Sequence, residues 1–222
     1  APYLYNINVE LLSEGYQKTS FTKNLGIRSI ELVTEKDSIG ESFYFKLNGK
    51  PVYMKGANYI PQNIFLPDVD QDDYVKLIDD VVNSNMNMLR VWGGGVYEDN
   101  FFYQLCDAKG ILVWQDFMFA CAMYPGDKDF LENVKQEAIE NVKRLRQHPS
   151  IALWCGNNEN SEGWHRWGWK DGKTEAQKQE IWNGYDAVFN HTLPQIVDSL
   201  HPSVSYWASS PKFGRGDKRY LF

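Results

Sequence analysis

The sequence predicts an α/β protein whose parallel strands belong to a (β/α) barrel, with the end of a β-sandwich in front of it. Three observations carry this reading. From residue 52 onward, five short apolar runs alternate with amphipathic helical patterns, and strands joined through helices pair in parallel by right-handed crossovers. A doubly wound open sheet would place a Gly-rich phosphate turn after its first strand, but Lys55-Gly56-Ala57-Asn58 stands there. Before residue 52 the apolar period is two rather than 3.6.

The elements follow in chain order. Tyr3, Tyr5, Ile7, Val9 and Leu11 alternate with Asn6, Asn8 and Glu10, the mark of a half-buried strand over 3–11. Gly15 and its polar neighbours signal a turn, and 27–34 is a second β-like run. The two read as the tail of a sandwich cut off at its start. Residues 43–47 and 52–55 flank Asn48-Gly49, a hairpin signature.

The alternating part then begins. Residues 52–57 form a short apolar run. Residues 72–85 carry Tyr74, Leu77, Ile78, Val81 and Val82 on one helical stripe, with Asp70 as cap. A strand at 88–92 precedes a short helix at 99–109, which Gly110 stops. After the run at 111–114, a helix at 129–147 presents Leu131, Val134, Ala138, Val142 and Leu145, with Pro149 beyond its end. The run at 151–155 is followed by a helical period over 181–200, in which Pro194 predicts a kink or break. The last run is 204–208. A closed barrel has eight strands in about 250 residues, so the 222 residues are expected to hold about the first five βα units of a truncated barrel. The expected division is 1–37 for the sandwich tail and 38–222 for the barrel portion.

Composition narrows the function. With 23 basic and 29 acidic residues, net −6, a generic basic nucleic-acid surface is excluded. No apolar run reaches the roughly 18 residues of a membrane span. Cys106, Cys121 and Cys155 have no CxxC spacing, which argues against a disulfide framework or structural zinc. Gly93-Gly94-Gly95 lacks the spacing of a nucleotide loop, and there is no G-x-S-x-G elbow or Cys-His pair. His148, His191 and His201 lie in or beside predicted helices and read as surface or capping residues rather than metal ligands. The aromatic content is high, with 8 Trp and 13 Tyr; such side chains serve packing or flat apolar ligands such as sugar faces.

Chemistry in parallel α/β folds collects at the carboxyl ends of the strands. Those ends carry Asn58-Tyr59, Arg90 with Trp92, Gln115-Asp116, Asn157-Asn158-Glu159-Asn160 and Ser209-Ser210. Glu159 is one carboxyl flanked by amides at the mouth. Apolar neighbours such as Trp154 would raise its pKa, which suits a general acid; a plain polar loop is the competing reading. Asp116 reads equally as a ligand contact or as the ion-pair partner of Arg90, since an interior Arg needs a compensating charge. The Trp164-His165-Arg166-Trp167-Gly168-Trp169-Lys170 segment suits sugar stacking or rim packing.

These residues carry a resemblance. Phe45-Lys46-Leu47-Asn48-Gly49-Lys50-Pro51-Val52 with Lys55-Gly56-Ala57-Asn58, then Arg90-Val91-Trp92-Gly93-Gly94-Gly95-Val96-Tyr97-Glu98, Trp114-Gln115-Asp116-Phe117-Met118-Phe119-Ala120 and Trp154-Cys155-Gly156-Asn157-Asn158-Glu159-Asn160 resemble the retaining β-mannosidases of glycoside hydrolase family 2. The likeness runs from about residue 45 to 169 and is weaker on either side. It implies an immunoglobulin-like sandwich before a (β/α)8 barrel. It also implies exo-hydrolysis of terminal non-reducing β-D-mannose with retention, a carbohydrate substrate, and no metal or organic cofactor. On this resemblance Glu159 is the acid/base, and Asn158 binds the sugar hydroxyl next to the anomeric carbon. Trp92 and Trp167 wall the mannose site, and Asp116 with Arg90 makes a sugar-side or supporting contact.

The family's nucleophile sits in a Ser-Glu-(aromatic)-Gly context that these residues do not contain, so the isolated chain is expected to be inactive. An open five-strand sheet leaves exposed edges, through which a homodimer is expected. Relatives in this family are secreted or periplasmic in bacteria and lysosomal in animals. The alternatives are another family 2 exo-β-glycosidase, of galactosidase, glucuronidase or glucosaminidase type, and a non-catalytic carbohydrate-binding module.

Overall fold

A computed structural model describes residues 2–212. Strands β1 (Tyr5–Ser13) and β2 (Tyr16–Leu25) form an antiparallel hairpin that turns through Glu14 and Gly15, both at positive φ. The period of two is present in β1, but the half-burial expected from it is not: every residue of both strands is exposed. Strand β2 lies where the sequence reads as a turn and its surroundings. Its β-formers Tyr16, Thr19, Phe21 and Thr22 are interleaved with Gln17, Lys18, Lys23 and Asn24, so no apolar run announces it.

The second expected run contracts to β3 (Ile30–Val33), which pairs with β4 (Tyr44–Leu47), and β4 pairs with β5 (Lys50–Val52). The predicted Asn-Gly hairpin joins β4 to β5, with Asn48 and Gly49 both at positive φ as a type I′ turn requires. This three-stranded sheet joins residues on both sides of position 37.

The main sheet is parallel and begins at β6 (Gly56–Tyr59), so the single strand expected over 52–57 is in fact two. Helix α1 (Gln71–Asn83) leads to β7 (Met88–Val91), and α2 (Asn100–Lys109) to β8 (Leu112–Asp116). Helix α3 (Lys128–Leu145) leads to β9 (Ile151–Cys155). Then α4 (Asn160–Arg166), α5 (Glu175–Asp186), a π-helical segment at Ala187–Thr192 and α6 (Leu193–Leu200) precede β10 (Tyr206–Trp207). The five strands lie in sequence order, β6 to β10, without the reversal that defines a doubly wound sheet. Their carboxyl ends therefore form one continuous row.

Local chemistry explains the helix limits. Asp70 and Asp73 close a capping box on α1, Asp127 accepts two N–H groups at the start of α3, and Gly110 ends α2 in the left-handed conformation. Helix α5 starts six residues before the expected 181 through a second capping box, Thr174 with Gln177; its polar first turn hides it from a periodicity reading. Pro194 follows an interruption of the regular α-helix expected over 181–200. It falls in the first turn of α6, where its missing N–H is tolerated, directly after the π segment. The helices bury Ile78, Phe102, Val142, Val188 and Val197 against Val113 and Leu153 of the sheet. Among the described residues no helix is long and apolar enough to cross a membrane.

Two of the three histidines differ from expectation. His191 is exposed and pairs with Asp186, but His148 and His201 are buried. His148 Nδ1 lies 2.6 Å from Asp107. His201 ends α6, as a capping residue would, yet its ring is packed inward and its Nδ1 accepts the Trp154 indole N–H at 3.2 Å. An indole can only donate, so that nitrogen must be unprotonated. Burial, aided by Arg28 and Arg146, pushes the His201 pKa down to about 4.

The unfolded chain takes up this proton near pH 6.5 and the folded chain near 4. The stability held by the neutral ring is therefore complete above pH 6.5 and lost as pH falls toward 4, by on the order of 3 kcal/mol. His201→Gln keeps an acceptor for Trp154 without the titration. Urea unfolding across this window should show a flatter stability profile for the variant than for the parent chain; equal slopes would contradict the assignment.

Candidate active site

The row of strand ends is organised by Arg90. Its position on β7 makes it the cross-strand neighbour of Asn58 on β6 and Trp114 on β8. The guanidinium donates to Asp116 twice, Nε to Oδ1 at 3.2 Å and Nη2 to Oδ2 at 2.8 Å. It also donates to Asn58 Oδ1 at 3.3 Å and Asn158 Oδ1 at 2.8 Å, and it lies over the Trp114 ring. Asp116 has no exposed surface, and both its oxygens are doubly used: Trp114 Nε1 donates to Oδ1 at 2.9 Å and the Gly93 N–H to Oδ2 at 3.0 Å. Burial pushes the Asp116 carboxyl up from its ordinary range, while Arg90 pulls it back. The ion pair expected from the sequence is therefore present, and it is bidentate.

The glycine run gains a physical reason here. A Cβ on Gly93 would meet the carbonyl oxygens of Phe117 and Phe119 within 2.7 Å, and one on Gly94 would enter the Trp92 ring. The segment can lie this close to Asp116 and carry Trp92 only without side chains.

Glu159 follows on the loop after β9. It takes the left-handed conformation, φ 62°, uncommon for a residue with a Cβ, and it precedes α4. The loop is fixed from both sides: Asn158 N–H donates to Phe119 O, Cys121 N–H to Asn158 O, and Glu159 N–H to Ser210 O. Below it, Asn157 accepts from Ser209 at 2.7 Å and from the Asn160 N–H at 3.1 Å. Asn158 Nδ2 donates to Glu159 Oε2 at 3.0 Å. One amide thus joins the two parts of the site, its oxygen on Arg90 and its nitrogen on Glu159.

The structure brings Arg90, Asp116, Asn158 and Glu159 into one hydrogen-bonded chain, with Trp92 beside it through Gly93. Trp167 is not in that chain. It is 46% exposed beyond α4, with its ring edge-on to Trp169 at 5.6 Å. Trp154 is not the apolar neighbour of Glu159 that the sequence suggested; its indole faces the other way, toward His201. The carboxyl instead meets Cys121, whose Sγ lies 3.5 Å from Glu159 Oε2 and from Asn158 Nδ2. Partial burial and the facing carboxyl push this thiol up, which keeps it protonated and able to donate. Nothing in the sequence points to Cys121, because its place depends on a left-handed backbone, φ 48°. Among the described residues no group of three or more His, Cys, Asp or Glu could hold a metal ion.

Removing one charge of a buried pair leaves the other uncompensated, at a cost of about 3–5 kcal/mol. Asp116→Asn is expected to lower the unfolding free energy of the chain by that amount in denaturant titration. A loss under about 1 kcal/mol, the range of exposed pairs, would contradict the role given to Arg90.

No protein-family model matches the chain. The β-mannosidase of Bos taurus is 49% identical over 212 residues, covering 95% of this chain and 24% of the relative. β-Mannosidase B of Neosartorya fischeri is 40% identical over 212 residues, 94% of this chain and 25% of the relative. The crystal structure of a β-D-mannosidase from Dictyoglomus thermophilum superposes with a TM-score of 0.85 at 46% identity, covering 94% of this chain and 25% of that one. The chain spans about a quarter of the length of the curated relatives it matches. Along nearly its whole length it is thus similar to one segment of these β-mannosidases.

Proposed function

We propose that these residues form the acid/base half of an exo-acting, retaining β-mannosidase site for terminal non-reducing β-D-mannose. The observation that carries the proposal is the Arg90–Asn158–Glu159 chain of hydrogen bonds at the strand ends, in a segment 49% identical to a named β-mannosidase. Glu159 donates a proton to the departing glycosidic oxygen and then removes one from water. Asn158, held by Arg90, binds the hydroxyl next to the anomeric carbon, a contact that strengthens as positive charge develops on the ring. Trp92 and Trp167 offer flat apolar faces to the sugar.

A retaining mechanism needs a second carboxylate about 5–5.5 Å from the first. Asp116 is unsuited to that task, because both its oxygens are committed to Arg90, Trp114 and Gly93. The reading therefore assigns the nucleophile to sequence outside these 222 residues, and the isolated chain is inactive on it. The same reading makes the five-stranded sheet, whose strands follow sequence order, part of a (β/α)8 barrel over residues 38–222. The β1–β2 hairpin is then the end of an immunoglobulin-like sandwich over 1–37.

A general acid matters most when the leaving group is poor. In the full-length protein that carries this chain, Glu159→Gln should lower kcat/KM for a methyl β-mannoside about 10²–10⁴-fold. For a dinitrophenyl β-mannoside the loss should be much smaller. Equal losses on both substrates would contradict the acid/base role, and unchanged rates on both would favour a carbohydrate-binding module.

A further inference from the structure

Two left-handed residues face each other at the site. Cys121, φ 48°, stands in the loop after β8, and Glu159, φ 62°, in the loop after β9. The two loops are bound together by their main chains: Ala120 bridges Asn158, the Asn158 N–H donates to Phe119 O and the Cys121 N–H to Asn158 O, both at 2.9 Å. Three side chains consequently meet in a closed triangle. Asn158 Nδ2 lies 3.0 Å from Glu159 Oε2 and 3.5 Å from Cys121 Sγ, and Sγ lies 3.5 Å from the same Oε2. The hydrogens of this triangle can be assigned. An arginine only donates, so the Asn158 oxygen belongs on Arg90 and its two N–H groups on Oε2 and Sγ. The S–H, held on the thiol by partial burial and the facing carboxyl, donates to Oε2. Two donors therefore converge on one oxygen of the carboxyl.

An oxygen that accepts two hydrogen bonds has no room for a proton of its own. We propose that Cys121 is a positioning residue for the acid/base: with Asn158 it holds Oε2 as the accepting oxygen, so that Glu159 carries its transferable proton on Oε1. The thiol also governs how readily that proton leaves. Donors to a carboxylate favour its charged form, and S–H is a weak donor, so Cys121 steadies the carboxylate after transfer without preventing its reprotonation. The charged groups around it come from several elements. Arg90 on β7 reaches the carboxyl through Asn158, and Asp116 on β8 stands behind Arg90. Helix α4 carries Glu162 with Arg166 at 3.4 Å, and His165, whose Nδ1 lies 3.1 Å from Lys170 Nζ. Asp127, Asp171, Lys173 and Glu180 line the cavity that Cys121 borders, and the end of β10 presents the Ser210 carbonyl, which takes the Glu159 N–H. None of these is altered by a substitution at Cys121. The inference rests on the β-mannosidase reading above and adds to it the oxygen that holds the proton and the residue that governs its release.

The test is the pH profile of kcat/KM on a methyl β-mannoside in the full-length protein. Cys121→Ala removes one donor from the carboxylate and should move the alkaline limb up by about half a pH unit, the scale of one weak hydrogen bond. Cys121→Ser keeps a donor, and its limb should lie below that of the alanine variant. The position of a limb does not depend on how much of the protein is folded, so damage to the fold lowers the rate at every pH and leaves the limb in place. A limb unmoved in Cys121→Ala, or moved equally in both variants, overturns the role of the thiol while the β-mannosidase reading stands. Failure of the unsubstituted protein to cleave any β-mannoside overturns that reading and the inference with it.

Discussion

The site depends on one buried ion pair. Arg90 stands largely buried among the strand ends, and its charge is tolerable there because Asp116 meets it with two oxygens. Everything else at the site is built on that demand. The Gly93 N–H and the Trp114 indole satisfy the remaining lone pairs of Asp116. The remaining donors of Arg90 reach sideways to Asn58 and Asn158, which lie on strand ends at either side. A pair used only for stability would be replaceable by packed apolar side chains. This one fixes the rotamer of an amide, and that amide holds a carboxyl.

The chain of constraint runs from the sheet to the chemistry. Parallel strands in sequence order bring β7, β8 and β9 side by side, so residues separated by up to 68 positions meet. Main-chain bonds to Phe119, Cys121 and Ser210 then clamp the loop after β9. Only under such a clamp does Glu159 hold its left-handed backbone, a conformation of the kind that gathers at functional sites. Its Oε2 is met by an amide and a thiol that also touch each other.

Much of this was legible in the sequence. The alternation of apolar runs and helical stripes foretold the parallel sheet, and Asn48-Gly49 foretold the β4–β5 hairpin. The reading of polar strand ends put Arg90, Asp116, Asn158 and Glu159 at one edge of the sheet, where they meet, and the Arg90–Asp116 pair follows from charge compensation alone. What the sequence hid has physical causes. The β1–β2 hairpin is exposed on both faces, so its apolar period does not report burial. Helix α5 opens on capping chemistry rather than on an apolar stripe. The buried rings of His148 and His201 depend on partners 41 and 47 positions away, and the approach of Cys121 to Glu159 depends on a backbone angle that no residue type announces. The direction of the Trp154 indole likewise comes from tertiary packing.

The account stands or falls on the protonation role of Glu159, and the pH dependence of kcat/KM on a methyl β-mannoside reads it most directly. In the full-length protein the profile should fall on its alkaline side as the acid loses its proton, and in Glu159→Ala that alkaline limb should disappear. A variant that keeps the limb unchanged would show that another group supplies the proton.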